Sequence, residues 1–146
     1  YRFRWLWYKN YQTRNYLMKK KYLIVVADYY KDIAKGLLDS ALKLIPKSSI
    51  IKIIRVPGVF EIPVTISKNI KKYDAFLALG CVIKGQTPHF DFISQASTNA
   101  IMNLSVANKK PIGNGIITCL NMKQAKARRK KGAEAADAVN SVLSQK

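Results

Sequence analysis

Apolar positions along the chain change period several times, and each change marks an element. Residues 22–27, "YLIVVA", form a continuous β-branched run, the pattern of a strand buried on both faces. Residues 31–45, "KDIAKGLLDSALKLI", set Ile33, Leu37, Leu38, Ala41, Leu42 and Ile45 at helical spacing, and Pro46 ends that helix. "SIIKIIRV" (49–56) reads as a second strand and "VPGVF" as a turn. Residues 60–70, "FEIPVTISKNI", predict a helix that tolerates Pro63 because it lies in the first turn. "YDAFLALGCVI" (73–83) is a third buried strand. Residues 87–107 predict a long helix with Phe90, Ile93, Ala96, Ala100, Ile101 and Leu104 on one side. "PIGNGIITCL" (111–120) is a fourth strand, and residues 121–145 are helical in two parts joined around a basic run and Gly132.

Strands that alternate with helices predict a parallel sheet covered on both faces, an α/β three-layer sandwich. Such sheets bind ligands beyond the carboxyl ends of their strands. "ADYY", "VPGVFE", "CVIKGQTPH" and "ITCLN" each follow a strand and are expected to gather at one edge.

At 146 residues and 49% hydrophobic content, the chain suits one domain with a substantial core. It has no run of about 18 unbroken apolar residues, the length a membrane helix needs. Residues 1–17, "YRFRWLWYKNYQTRNYL", are aromatic and basic and lack an acid, a period, and the apolar core and cleavage site of a secretory signal. Met18 and "KKKYLIVVA" read like a natural beginning. Residues 1–17 are therefore expected to be a non-native or disordered extension, with the domain spanning 18–146. Net charge is +18, of which Arg2, Arg4, Lys9 and Arg14 supply 4, leaving +14 beyond the extension. That balance favours anionic partners without choosing among them, and drift toward lysine on solvated faces also accounts for it. Cys81, Cys119 and one histidine exclude a disulfide framework and most zinc sites, and predict a cytoplasmic, reduced protein.

The single histidine, His89, follows "KGQTP". Gly85 permits close approach of backbone to a ligand, Gln86 or Thr87 stands where the open amides of the next helix begin, and Pro88 suits a first helical position. Such a helix start attracts anions. His89 is then either a proton carrier beside a phosphate cradle or a surface histidine at a helix start. Glu61 in "VPGVFE" either accepts hydrogen bonds from a ligand or serves as a favourable charge at a helix N-terminus. "ARRKK" (127–131) reads as a solvated helix face, a nucleic-acid patch, or the source of one arginine that reaches a phosphate. The tyrosines of "ADYY" are surface packing or a platform for a flat heterocycle.

Taken together, "VPGVFEIPVTISK", "YDAFLALGCVIKGQTPHFDFIS", "PIGNGIIT" and "KKGAEAADA" resemble the 6,7-dimethyl-8-ribityllumazine synthase family, in order from about Tyr22 to the end. The resemblance implies a flavodoxin-like α/β fold with a four-stranded parallel sheet, assembled as homopentamers or multiples of them. It implies a site between neighbouring subunits that uses neither metal nor organic cofactor. The implied reaction condenses 5-amino-6-(D-ribitylamino)uracil with 3,4-dihydroxy-2-butanone 4-phosphate, releasing phosphate and water. By the same resemblance His89 transfers protons, and Gln86 and Thr87 hold the phosphate. Val59, Phe60, Glu61, Cys81, Val82 and Ile83 contact the pyrimidine substrate, and Tyr29 stacks on its ring. Asn114 and Arg128 reach in from the adjacent subunit, Arg128 to the phosphate, with Lys131 as an accessory charge. The chain departs from the family pattern at Asp28-Tyr29-Tyr30, where arginine-phenylalanine-asparagine is common. Asn114 stands for a common phenylalanine, Lys84 for an arginine, and the segment from Arg128 to Gly132 is shorter than usual. Two other readings are a related pteridine-forming enzyme, such as the archaeal kind of riboflavin synthase, and a basic nucleic-acid binder. Neither a membrane nor a nucleic acid is an expected partner.

Overall fold

A computed structural model describes residues 19–145. The expected extension at 1–17 lies outside the described residues. The elements run β1 (Lys21–Ala27), α1 (Lys31–Leu44), β2 (Ile50–Val56), a 3-10 turn (Val59–Glu61), α2 (Ile62–Asn69) and β3 (Ala75–Ile83). After these come α3 (His89–Asn108), β4 (Ile112–Cys119), α4 (Met122–Ala127) and α5 (Lys131–Leu143). The four strands form one parallel sheet in the order β2-β1-β3-β4. The β-branched runs of β1 and β3 occupy the two central positions, which bury both faces of a strand.

Alternate residues of the central strands feed two separate cores. Tyr22, Ile24, Val26, Leu77 and Leu79 pack against α1, α4 and α5 through residues such as Leu37, Ala125 and Ala136. Leu23, Val25, Phe76 and Ala78 pack against α2 and α3 through Ile62, Ile66 and Ile101. This is the predicted three-layer α/β/α sandwich, consistent with a flavodoxin-like fold.

Local differences from the sequence reading have simple causes. The "VFE" segment is a tight 3-10 turn ahead of α2, so the helix proper is shorter than 60–70, with Pro63 still in its first turn. α3 starts at His89, and Pro88 is its N-cap rather than its first helical residue. Ala96 is exposed, while Ser97 is buried beside Ile101. The small alanine gave no signal that distinguished the two faces at that turn. Gly132 is inside the first turn of α5, and the joint is 128–130. A Cβ on Gly132 would collide with the backbone carbonyl of Leu37, so glycine is what lets α5 lie directly on α1.

Candidate active site

Chain direction reverses its walk across the sheet between β1 and β3. After β1 the connection runs to β2 on one side, and β3 then pairs with β1 on the other. The crevice beyond the carboxyl ends of those two strands is the switch point at which α/β sheets bind ligands. A cavity of about 580 Å³ opens there. Its walls come from three post-strand segments: Tyr29 and Tyr30 after β1, Gly58 to Glu61 after β2, and Cys81 to Ile83 at the end of β3. His89 and Ile93, one turn apart on α3, complete it.

Gly80 determines how closely the second of these segments approaches the sheet. A Cβ there would sit 2.8 Å from Cγ2 of Val59 and 3.1 Å from Cβ of Ala27. Without it the 3-10 turn settles onto β3, burying Val59 and Ile62 while Phe60 is left outward. Phe60 (66% exposed) and Tyr29 (76%) are large rings left uncovered in the cavity lining. Tyr29 and Tyr30 meet edge to face, with centroids 4.9 Å apart and planes at 79°.

The polar groups of this cavity are few: Glu61, His89, the two phenols and the thiol of Cys81. Burial, reinforced by neighbouring Cys119, pushes the Cys81 thiol up to about 12. It is therefore a neutral part of the floor and a poor nucleophile near neutral pH. Burial also raises the Tyr30 phenol, with smaller contributions from Cys81 and Tyr29. His89 is exposed at the first position of α3, whose N-terminus has no side-chain cap. In that first turn the Asp91 amide donates to the Pro88 carbonyl at 3.1 Å, while the His89 and Phe90 amides have no acceptor among the described residues.

Not every predicted residue joins this cavity. Gln86 and Thr87 are exposed on the loop that leads from β3 into α3, beside the cavity but not in its wall. Asn114, Arg128 and Lys131 line a different groove of about 550 Å³, formed by β4 and the α4–α5 joint, together with Ile116, Thr118 and Glu134. The two hollows share no lining residue. "ITCLN" ends at the same carboxyl edge of the sheet as the other three stretches, with the Lys84 amide donating to the Cys119 carbonyl at 2.9 Å, but its Thr118 lines the second groove rather than the cavity. The backbone amide of Ile116 donates to Oδ1 of Asn114 at 3.1 Å, which ties that amide side chain down along β4.

The cationic run also divides. Arg128 and Lys131 face the second groove, whereas Arg129 and Lys130 line a separate groove against α1. Arg129 bonds to Asp32 at 3.0 Å and Lys131 to Glu134 at 2.9 Å. Among the described residues Arg128 makes no ion pair; its guanidinium reaches only the Gln124 carbonyl, at 3.5 Å. A run split over two faces and partly neutralised is not the continuous stripe that tracks a nucleic-acid backbone.

Tyr30 and Gly58 join the cavity from the flagged stretches "ADYY" and "VPGVFE", whereas Ile93 is a cavity residue that the sequence reading placed only on a helix face. Ile93 was within reach, since it stands four positions after His89 and shares its helix face.

Fold and cavity together define a flavodoxin-like α/β protein with an aromatic-walled cavity at its topological switch point, the place where such sheets bind ligands. Residues 19–146 match the family model described as 6,7-dimethyl-8-ribityllumazine synthase, and the chain belongs to that family. Among its relatives is the 6,7-dimethyl-8-ribityllumazine synthase 1 of Rhodopseudomonas palustris, 43% identical over 134 residues, 83% of this chain and 82% of that protein. The enzyme of the same name from Bartonella bacilliformis is 45% identical over 115 residues, 75% of this chain and 76% of its own length. The one from Cutibacterium acnes is 40% identical over 132 residues, 84% and 80% respectively.

Proposed function

We propose that this chain condenses 5-amino-6-(D-ribitylamino)uracil with 3,4-dihydroxy-2-butanone 4-phosphate to form 6,7-dimethyl-8-ribityllumazine, releasing phosphate and water. The observation that carries the reading is one cavity containing His89, Glu61 and the aromatic pair Tyr29 and Phe60, beside an uncapped helix start.

Each step asks little of the protein. The primary amine of the pyrimidine attacks the ketone, and water leaves as the imine forms. A proton is then lost next to the imine carbon as the phosphate departs. The ribityl-bearing nitrogen closes the ring with loss of a second water. His89 is the group placed to take and return these protons. Tyr29 and Phe60 hold the pyrimidine, and Val59, Glu61, Cys81, Val82 and Ile83 shape its seat. Gln86, Thr87 and the His89 and Phe90 amides that open α3 receive the phosphate as its charge develops. Much of the acceleration comes from holding two already reactive molecules in register.

A phosphate site needs a fixed cation opposite those amides, and Arg128 is in the other groove of its own chain. The reading therefore completes each cavity with Asn114, Arg128 and Lys131 from a neighbouring copy, in a homopentamer or a multiple of one. Exposed Val64 on α2 and Phe92, Met102 and Val106 on α3 support such an interface, being apolar side chains with no cover in the single chain. No described helix is long and apolar enough to cross a membrane. Work in the cytoplasm is proposed on the two cysteines, Cys81 and Cys119, which are free thiols.

The test is turnover of the two substrates by purified protein, followed by product absorbance, with the assembly sized by light scattering. His89→Ala is expected to slow turnover by about ten- to a hundredfold. A fully active monomer, or an unchanged rate in the variant, would overturn the reading.

A further inference from the structure

The β1–α1 turn, Asp28 to Tyr30, carries two of the cavity's rings, Tyr29 and Tyr30, yet it is poorly secured by its own sequence. Tyr30 is the N-cap of α1 and makes no capping hydrogen bond from its side chain. Asp28 is two positions before that cap and its carboxylate turns away from the helix. Oδ1 instead accepts from Nη1 of Arg55 at 3.0 Å. Arg55 belongs to β2, whose last register pair with β1 is Ala27 with Val56. The amide of Asp28 also donates to the Val56 carbonyl at 2.9 Å, one step beyond that last rung. The turn is thus stitched to the neighbouring strand by one backbone bond and one ion pair. Among the described residues these are the inter-element hydrogen bonds that residues 28–30 make.

We propose that Asp28 and Arg55 form a latch that sets the pose of the Tyr29–Tyr30 pair over the cavity, and so act as positioning residues for the heterocyclic substrate. The backbone bond fixes where the turn begins but leaves its tilt free. The ion pair fixes that tilt, because it ties the side chain preceding Tyr29 to the strand that also delivers Gly58, Val59 and Phe60. One latch therefore sets the relation between two cavity walls, the tyrosine pair and the Phe60 turn. This inference rests on the reading that Tyr29 stacks on the pyrimidine ring. Arg55 is 56% exposed and Asp28 is 32% exposed, so the pair is screened by solvent and its effect is graded rather than all-or-none.

The experiment compares wild type with Asp28→Ala, Arg55→Ala and the swapped double variant Asp28→Arg/Arg55→Asp. Each single variant is expected to raise KM for the pyrimidine substrate by about two- to fivefold, with KM for the butanone phosphate unchanged and kcat within about twofold. The swap is expected to recover at least half of the lost affinity. High salt is expected to bring wild type toward the single variants. Equal change in both KM values, no change in either, or a swap no better than the singles would overturn the latch. A second readout needs no turnover: Tyr30 ring protons lie in the field of the Tyr29 ring, and their NMR shifts in the free protein should move in both single variants. Unmoved shifts reject the latch even if the enzyme is active. Moved shifts in a protein that turns over neither substrate keep the latch and reject the proposed function.

Discussion

The two hollows of this chain are opposites. The cavity at the switch point is walled by Tyr29, Phe60, Val59, Ile83 and Ile93, with few polar groups. The groove at the β4 edge is lined by Arg128, Lys131, Glu134, Thr118 and Asn114. Aromatic walls select a flat ring and cannot neutralise a phosphate, while a cationic groove does the reverse. A condensation between a heterocycle and a sugar phosphate needs both, and one chain keeps them on separate surfaces. Under the proposed function, that separation makes the contact between copies, rather than the single chain, the unit to test.

The strongest way to break that comparison is complementation. His89→Ala and Arg128→Ala assemblies should each be slow, by about ten- to a hundredfold. Dissociated together and reassembled in equal amounts, they should recover about a quarter of wild-type turnover, because random neighbours pair an intact cavity with an intact groove at that frequency. Recovery at the level of the separate variants would mean that each chain works alone.

Next in size is a change on the groove side. Gly132→Ala would push a methyl group into the Leu37 carbonyl, and neither backbone can yield cheaply. A loss of about 3 kcal/mol is expected, or a melting point lower by roughly 6–10 °C. The displaced α5 start carries Lys131 and adjoins Arg128, so surviving enzyme should lose affinity for the butanone phosphate more than for the pyrimidine. An unchanged melting point would show that α5 does not need this close approach.

The matching change on the cavity side is smaller. Gly80→Ala meets the side chains of Val59 and Ala27 rather than a carbonyl. The 3-10 turn can move by a few tenths of an ångström at a cost of about 1–2 kcal/mol. Because Phe60 and Glu61 ride on that turn, KM for the pyrimidine should rise about threefold, leaving the phosphate partner little affected. If the two glycine variants show the same substrate preference, the division of labour between the hollows is wrong.

These glycines also show what the sequence made legible. Hydrophobic period alone located every strand, and the stretches "ADYY", "VPGVFE" and "CVIKGQTPH" between them contain every residue of the cavity wall except Ile93. What stayed hidden depends on distance rather than pattern. Nothing in "LALGCV" announces that Gly80 is where a turn from another strand lands. "ARRKK" reads as one basic run, yet three-dimensional packing sends Arg128 and Lys131 one way and Arg129 to Asp32 on α1. Asp28 looked only like a departure from its family's pattern until Arg55 stood beside it. Ala96 against Ser97 was decided by the rotation of α3 over the sheet, which small residues do not encode strongly.

The smallest effect concerns the cavity floor. The Cys81 thiol titrates near 9.0 in an ordinary setting and at about 12 in the fold, chiefly because burial disfavours the thiolate. As pH rises, the unfolded chain gives up this proton before the folded one does. The contribution to stability is therefore complete below about 9 and is lost progressively as pH climbs toward 12. Tyr22 and Tyr30, raised from 10.0 mainly by burial, add the same sign slightly higher. Urea midpoints should fall steadily above about pH 9, and Cys81→Ala should shallow that fall while both proteins keep flat profiles between about pH 7 and 8. The slope is the quantity to compare, because the truncation itself lowers the absolute midpoint through a small cavity. Identical slopes in the two proteins would mean that Cys81 is solvated, and that the floor of the cavity is wetter than its apolar walls imply.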